Sequence, residues 1–233
     1  MGGILIPPAL VLLSGLSTHT AMATTLASFI PMNIAGTVLF HRLGHLPWKK
    51  ALPLSIGGIT SAAPCALINI YVNANLLTLI LSFLVLFAGF TAFRPHSSKA
   101  PDPYRESFWQ RNAGLFCIGL VTGTVAGLTG AGGPLLAIAW MVACAIHPLT
   151  AVGLSMPYSL ATAVAASISN AFNHTLNYPL LWRIATLEGL AFLVGVFSVR
   201  LLPLLWIRRL MAITCTLLGL FLLFRCLFVS LAP

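Results

Sequence analysis

Along this chain the apolar positions come in long blocks, and the polar positions collect in short joints between them. The blocks fall at about 3–16, 19–40, 51–71, 75–93, 112–129 with 133–146, 149–171, 184–202 and 208–228. Blocks of roughly 18 to 25 residues match the ~30 Å of hydrocarbon that a helix crosses at about 1.5 Å per residue. A helix satisfies its own backbone hydrogen bonds and can therefore live in lipid. The short alternating segments of a membrane barrel are absent. The pattern predicts an all-α integral membrane protein, multi-pass, with about 7–8 transmembrane helices.

Composition agrees. Of 233 residues, 59% are hydrophobic and only 6% are charged, too few charges for a soluble domain of this length. The net charge of +9 would suggest nucleic acid in a soluble protein. Here the basic residues sit at block ends, so orientation in a bilayer explains them and no nucleic-acid partner is expected. Trp48, Trp109, Trp182 and Trp206 lie near block ends beside Lys or Arg, as interfacial anchors do. The five cysteines are odd in number, form no CxxC and lie in apolar blocks, where they read as small buried hydrophobes. No spacing suggests a metal cluster or a cofactor motif.

One polar stretch, 94–111, holds two of the three acidic residues, Asp102 and Glu106, with four basic residues and three prolines. It divides the chain into a first transmembrane repeat (1–94), a polar cytoplasmic linker (95–111) and a second transmembrane repeat (112–233). The halves align at an offset of 130. Gly2-Gly3-Ile4-Leu5 matches Gly132-Gly133-Pro134-Leu135, and Thr20–Thr25 matches Thr150–Ser155. Duplicated transporters carry this kind of internal symmetry.

The candidate chemistry lies in the glycine-rich break of the second half. Gly119, Gly123 and Gly127 make one smooth helix face suited to close packing. Gly127 to Pro134 is too glycine-rich for a regular helix, and Pro134 suits the first turn of a new one. Two half-helices are expected to meet near the bilayer midplane. The second would present free N–H groups and a positive dipole end, a ready anion site. The expected binding residues are Thr129, Gly130, Gly132, Gly133 and Ser155, with Gly2, Gly3 and Thr25 at the corresponding places of the first half. Glu188 is the one acid inside a membrane segment. It is a candidate for proton coupling, although pairing with Arg183 near an interface is the plainer reading and the one the sequence favours. Ser155 with His174 raises a different class, an intramembrane serine hydrolase, but the second glycine of GxSxG is absent.

At these residues the chain resembles the sulfite exporter TauE/SafE family, also called the TSUP permeases. The resemblance rests on Gly119–Leu136, on His147-Pro148-Leu149-Thr150 followed by Ala151-Val152-Gly153-Leu154-Ser155, and on Ala21–Thr25 in the first half. Trp182-Arg183 and Trp48-Lys49-Lys50 resemble the family's Trp-basic start of the third helix in each repeat. The family repeat begins a half-helix before the glycine break, so the first repeat here is expected to be N-terminally short. The resemblance implies a permease for small sulfur-containing or organic anions (sulfite, thiosulfate, sulfonates) in the bacterial inner membrane. It implies no cofactor. The expected partners are that anion and the lipid bilayer, and a homo-oligomer is open. A truncated, non-transporting membrane protein is the other alternative.

Two topologies fit the charges. If 112–146 is one broken span, the repeats are parallel; if 112–129 and 133–146 form a re-entrant hairpin, they are inverted. Both leave 94–111 in the cytoplasm by the positive-inside rule.

Overall fold

A computed structural model describes residues 6–93, 111–130, 133–144, 146–198 and scattered positions between 213 and 224. These residues form helices and short joints, with no strands among them. The helices are α1 (Ile6–Ser14), α2 (Thr18–Arg42), α3 (Trp48–Ile68), α4 (Ala74–Phe93), α5 (Asn112–Thr129), α6 (Gly133–Ala143), α7 (Pro148–Phe172) and α8 (Tyr178–Ser198). A 3-10 turn, Asn69–Tyr71, closes α3. Four helices are long and apolar enough to cross a membrane: α2, α3 with its closing turn, α5 and α7. The linker and the last apolar block lie mostly outside the described residues.

The ends of the helices follow from local chemistry. α2 and α7 each run 25 residues and stop in the same way. The Gly44 and His45 N–H groups return to His41 O and Phe40 O; those of His174 and Thr175 return to Ala171 O and Asn170 O. Both turns need a left-handed residue, which is Gly44 (φ +72°) in one and His174 (φ +52°) in the other. Glycine takes that conformation without strain, whereas a side chain pays for it. α8 starts at Tyr178, earlier than the apolar block suggests. Asn177 Oδ1 accepts from Leu180 N at 3.3 Å, so the first turn is capped before the apolar run begins. Trp182 and Arg183 therefore sit inside α8, not in a joint.

Packing puts α2 and α7 at the centre. They cross antiparallel, with Asn33 against Ser159, Gly36 against Met156, and Phe40 against Gly153. Neither α3 nor α8 packs chiefly on its own predecessor. α3 packs on α7 and α5, and α8 packs on α2. Along the first of these contacts Leu54 shares a core cluster with Ala151, Gly58 faces Tyr158, and Ala62 clusters with Ala166. Along the second, Ile184 clusters with Ala21, Glu188 faces Ser28, and Phe192 lies beside Gly36. Each pair of the second set is a pair of the first shifted by 130 positions in opposite senses.

The glycine stripe of α5 is a packing surface. A side chain at Gly119 would run into Leu54 O, at Gly123 into Ser61 and the Gly58 backbone, and at Gly127 into Ala62 O. The two helices run in the same direction at backbone contact. Small residues permit that approach, and van der Waals packing drives it in lipid. α6 then turns back along α5. Its first turn, at Leu135, joins Met22 and Leu77 with Val125 and Leu128 alongside. Its later residues Ala137 and Met141 join Leu115 and Ile118 near the start of α5. The arrangement is a hairpin and not one bent span.

Charge marks the two ends of this bundle. Arg42, Lys49, Lys50 and Arg111 stand where α2 ends and α3 and α5 begin. Arg183, the other Lys or Arg among the described residues, stands at the opposite end, on the first turns of α8.

Candidate functional site

α5 ends at Gly130, whose φ of +65° is left-handed and whose N–H returns to Ala126 O. This residue is buried, and an added Cβ would run into the carbonyl of Met22 on α2. The break is thus pressed against the second turn of α2, in a space that only glycine fits. Residues 131 and 132 lie outside the described residues, so Gly132 receives no placement. α6 opens at Gly133 with Pro134 next and no acid in its first turn.

The break does not lie at mid-height. α5 passes Leu54, Gly58 and Ala62 of α3 in turn, and the break comes where α3 ends. There Asn69 reaches across. Its Nδ2 donates to Leu128 O, one of the carbonyls that the end of α5 leaves without a helical partner. Its Oδ1 lies 2.8 Å from His19 Nδ1 on the first turn of α2. Asn69 is only 4% exposed. One amide therefore ties the end of α3, the end of α5 and the start of α2 into a polar knot at the break. Neither Asn69 nor His19 was expected from the sequence. An amide inside an apolar block was the available signal, since buried polar groups in membrane segments are costly and need partners.

The hydroxyls expected at the site are turned to their own helices. Thr25 Oγ1 donates to Ala21 O at 2.7 Å, Thr129 Oγ1 to Val125 O at 2.7 Å, and Ser155 Oγ to Val152 O at 2.7 Å. Each keeps lone pairs but directs its proton to the backbone. Thr25 is one turn from Met22 and so stands next to the break, although it belongs to the other half of the chain. Thr24, also buried, accepts from Asn177 N at 3.3 Å and ties the joint before α8 to α2. Gly2 and Gly3 lie outside the described residues.

The hydrolase arrangement is not assembled. Ser155 and His174 are 19 residues apart along α7 and its end, roughly 28 Å at helical rise. His174 is exposed at the helix end, while Ser155 is buried two turns from its start. No nucleophile and base meet there.

Glu188 departs from the plainer expectation. It is 9% exposed, in the middle of the α8 face that meets α2, and Arg183 is exposed. Neither carboxylate oxygen has a hydrogen-bond partner. Ser28 faces it, but Ser28 Oγ donates to Thr25 O at 2.8 Å. Among the described residues no group of three or more His, Cys, Asp or Glu side chains comes together. The three cysteines among the described residues are less buried than expected: Cys65 and Cys144 are half-buried and Cys117 is exposed.

Comparison with curated proteins and with solved structures gives no match. The family model described as Sulfite exporter TauE/SafE matches residues 1–222, nearly the whole chain, including the break at Gly130 and the helices that enclose it. With its apolar helices and its glycine break pressed on α2, the chain belongs to the sulfite exporter TauE/SafE family of membrane permeases.

Proposed function

We propose that this permease moves small sulfur-containing or organic anions, sulfite first among them, across the bacterial inner membrane. The family membership supports a permease, and the break at Gly130 is the observation that carries the anion. At that break α6 begins with backbone N–H groups at Gly133 and Leu135 that no helical carbonyl can reach. No acid sits in the first turn to occupy them. Such a helix end favours an oxyanion. Gly130, Gly132 and Gly133 would let the anion approach the backbone. Thr129 and Thr25 stand alongside, with Asn69 and His19 holding the surrounding elements. Ser155 with Gly2 and Gly3 would serve a corresponding place built from the first break.

The architecture supports an inverted duplication. Helices of equal length begin 130 positions apart, α2 crosses α7 antiparallel, and the α3–α7 and α2–α8 contacts share one register. Transporters of this kind bind substrate where the two repeats meet at interrupted helices. Arg42, Lys49, Lys50 and Arg111 support a cytoplasmic α2–α3 joint by the positive-inside rule.

The test is flux. Purified protein in proteoliposomes is loaded with radiolabelled sulfite, thiosulfate or a short sulfonate, and counterflow is followed. Wild-type protein is expected to exchange at least one of them, and Gly130→Ala to lose most of that exchange. No exchange of any anion by well-folded wild-type protein would remove this reading.

A further inference from the structure

We propose that Glu188 is the proton-binding site that couples the anion's movement to the pH gradient. The proposal rests on the permease reading above and adds its driving ion. Its basis is a comparison inside the molecule. Positions 58 and 158 meet across α3 and α7, and positions 188 and 28 meet across α8 and α2, in the same register. In the first contact the large side chain is Tyr158, fully buried against Gly58, and its hydroxyl donates to Thr122 Oγ1 at 2.8 Å. That polar group is satisfied. In the second contact the large side chain is Glu188, also buried, and both its oxygens lack a partner.

A carboxylate held without partners away from water is costly as an anion; taking up one proton removes the charge, with no other group needed. The surroundings leave the proton as the simplest ligand. α2 brings Ser28, and its titratable residues His19, His41 and Arg42 stand at its two ends. α1, which packs beside Ile184, carries no titratable residue. On α8 itself Arg183 is exposed and Tyr178 lies at the first residue. A metal cation would need several oxygen ligands besides the carboxylate, and among the described residues the one polar side chain seen facing it is Ser28.

The location couples the two sites. Residues 21–28 of α2 are buried on every side. One face of this stretch, at Met22, abuts the break; another, at Ser28, faces Glu188. Charging Glu188 would demand water or a shift of α8 from α2, and α2 cannot shift without moving the carbonyl that holds Gly130. The step itself is simple: one Glu188 oxygen gains a proton from one side and releases it to the other.

The experiment uses reconstituted full-length protein with an internal pH dye and radiolabelled sulfite. Wild type is expected to acidify or alkalinise the lumen as sulfite moves. A pH gradient of about one unit should support about tenfold accumulation for each proton moved. Glu188→Gln is expected to keep sulfite counterflow while losing both the pH change and the accumulation. Glu188→Asp should retain coupling in part. Independently of transport, infrared difference spectra between high and low pH should show the carbonyl stretch of a protonated carboxyl group in wild type, absent in Glu188→Gln. Unchanged coupling in Glu188→Gln, or no such band in wild type, overturns the assignment while leaving the permease reading intact. Accumulation driven by sodium instead of pH, and lost in Glu188→Gln, overturns the proton as ligand. Absence of any wild-type flux sinks both.

Discussion

Asn33 on α2 donates through Nδ2 to Ser159 Oγ on α7 at 2.9 Å, both side chains buried, where the two central helices cross antiparallel. Among the described residues no other side chain–side chain hydrogen bond joins α2 to α7. The bond fixes the register in which Gly36 receives Met156 and Gly153 receives the α2–α3 joint at His45 O. Interhelical hydrogen bonds in membranes contribute about 0.6 kcal/mol on average and up to about 2 kcal/mol. A double-mutant cycle with Asn33→Ala and Ser159→Ala should return a coupling energy in that range, measured by unfolding in mixed micelles. A coupling indistinguishable from zero would mean that packing alone sets the register.

The α3–α5 contact predicts a steeper response. Gly123 has the Gly58 backbone and Ser61 Oγ where a side chain would go. Gly123→Leu must push α5 off α3, and overpacking of this kind costs typically 1–3 kcal/mol, occasionally more. Thermal stability in detergent should fall accordingly. Gly189 on α8 offers a control, since nothing lies within 4 Å of an added Cβ there. Gly189→Ala should be neutral or slightly stabilising, because alanine holds a helix better by up to about 1 kcal/mol.

Much of this was legible in the residues, and the parts that were not have physical causes. The glycine stripe, the stop at Gly130 and the restart at Gly133 follow from backbone preference, which is local. What α5 packs against was not, because a stripe of small residues states that a helix comes close without naming it. The height of the break was not legible: the sequence places it between two half-helices, whereas α5 alone is of spanning length and the break sits at the end of α3. The isolation of Glu188 was also hidden. Arg183 lies five residues before it, but that spacing puts the two on different sides of α8, and the face that Glu188 shares belongs to the α2 contact.

Gly130 carries the sharpest single substitution. Its φ of +65° costs a residue with a Cβ roughly 1–2 kcal/mol. Here the Cβ also meets Met22 O. Gly130→Ala should lower stability by more than the strain alone and displace α6 from α2. Transport should fall further than stability does, since the break itself is disturbed. Equal transport per folded molecule in Gly130→Ala and wild type would separate the break from function.

The hairpin predicts a topology. With the α2–α3 joint and the start of α5 in the cytoplasm, α6 returns toward that side and α7 leaves it again. α8 then comes back, and a further crossing by 208–228 takes the chain out. A reporter fused after Pro233 should therefore be active only in its external form, and one inserted at 95–111 only in its cytoplasmic form. A cytoplasmic reporter after Pro233 would favour a single broken span over the hairpin.

Asn69 tests whether the polar knot beside the break is structural or functional. Its Nδ2 donates to Leu128 O and its Oδ1 accepts from His19 Nδ1 at 2.8 Å. Asn69→Leu would leave the Leu128 carbonyl buried without its partner, which costs about 1–3 kcal/mol. Asn69→Asp removes the donor to Leu128 but keeps an oxygen for His19. The two variants therefore separate two roles. If the carbonyl contact matters most, both lower stability alike and transport falls with folding. If the His19 contact holds the break, Asn69→Asp should keep more anion exchange per folded molecule than Asn69→Leu, and adding His19→Ala should remove that advantage. Measuring counterflow and thermal stability in wild type, both Asn69 variants and Asn69→Asp/His19→Ala decides between them. Equal exchange per folded molecule in all four would confine Asn69 to closing the end of α5.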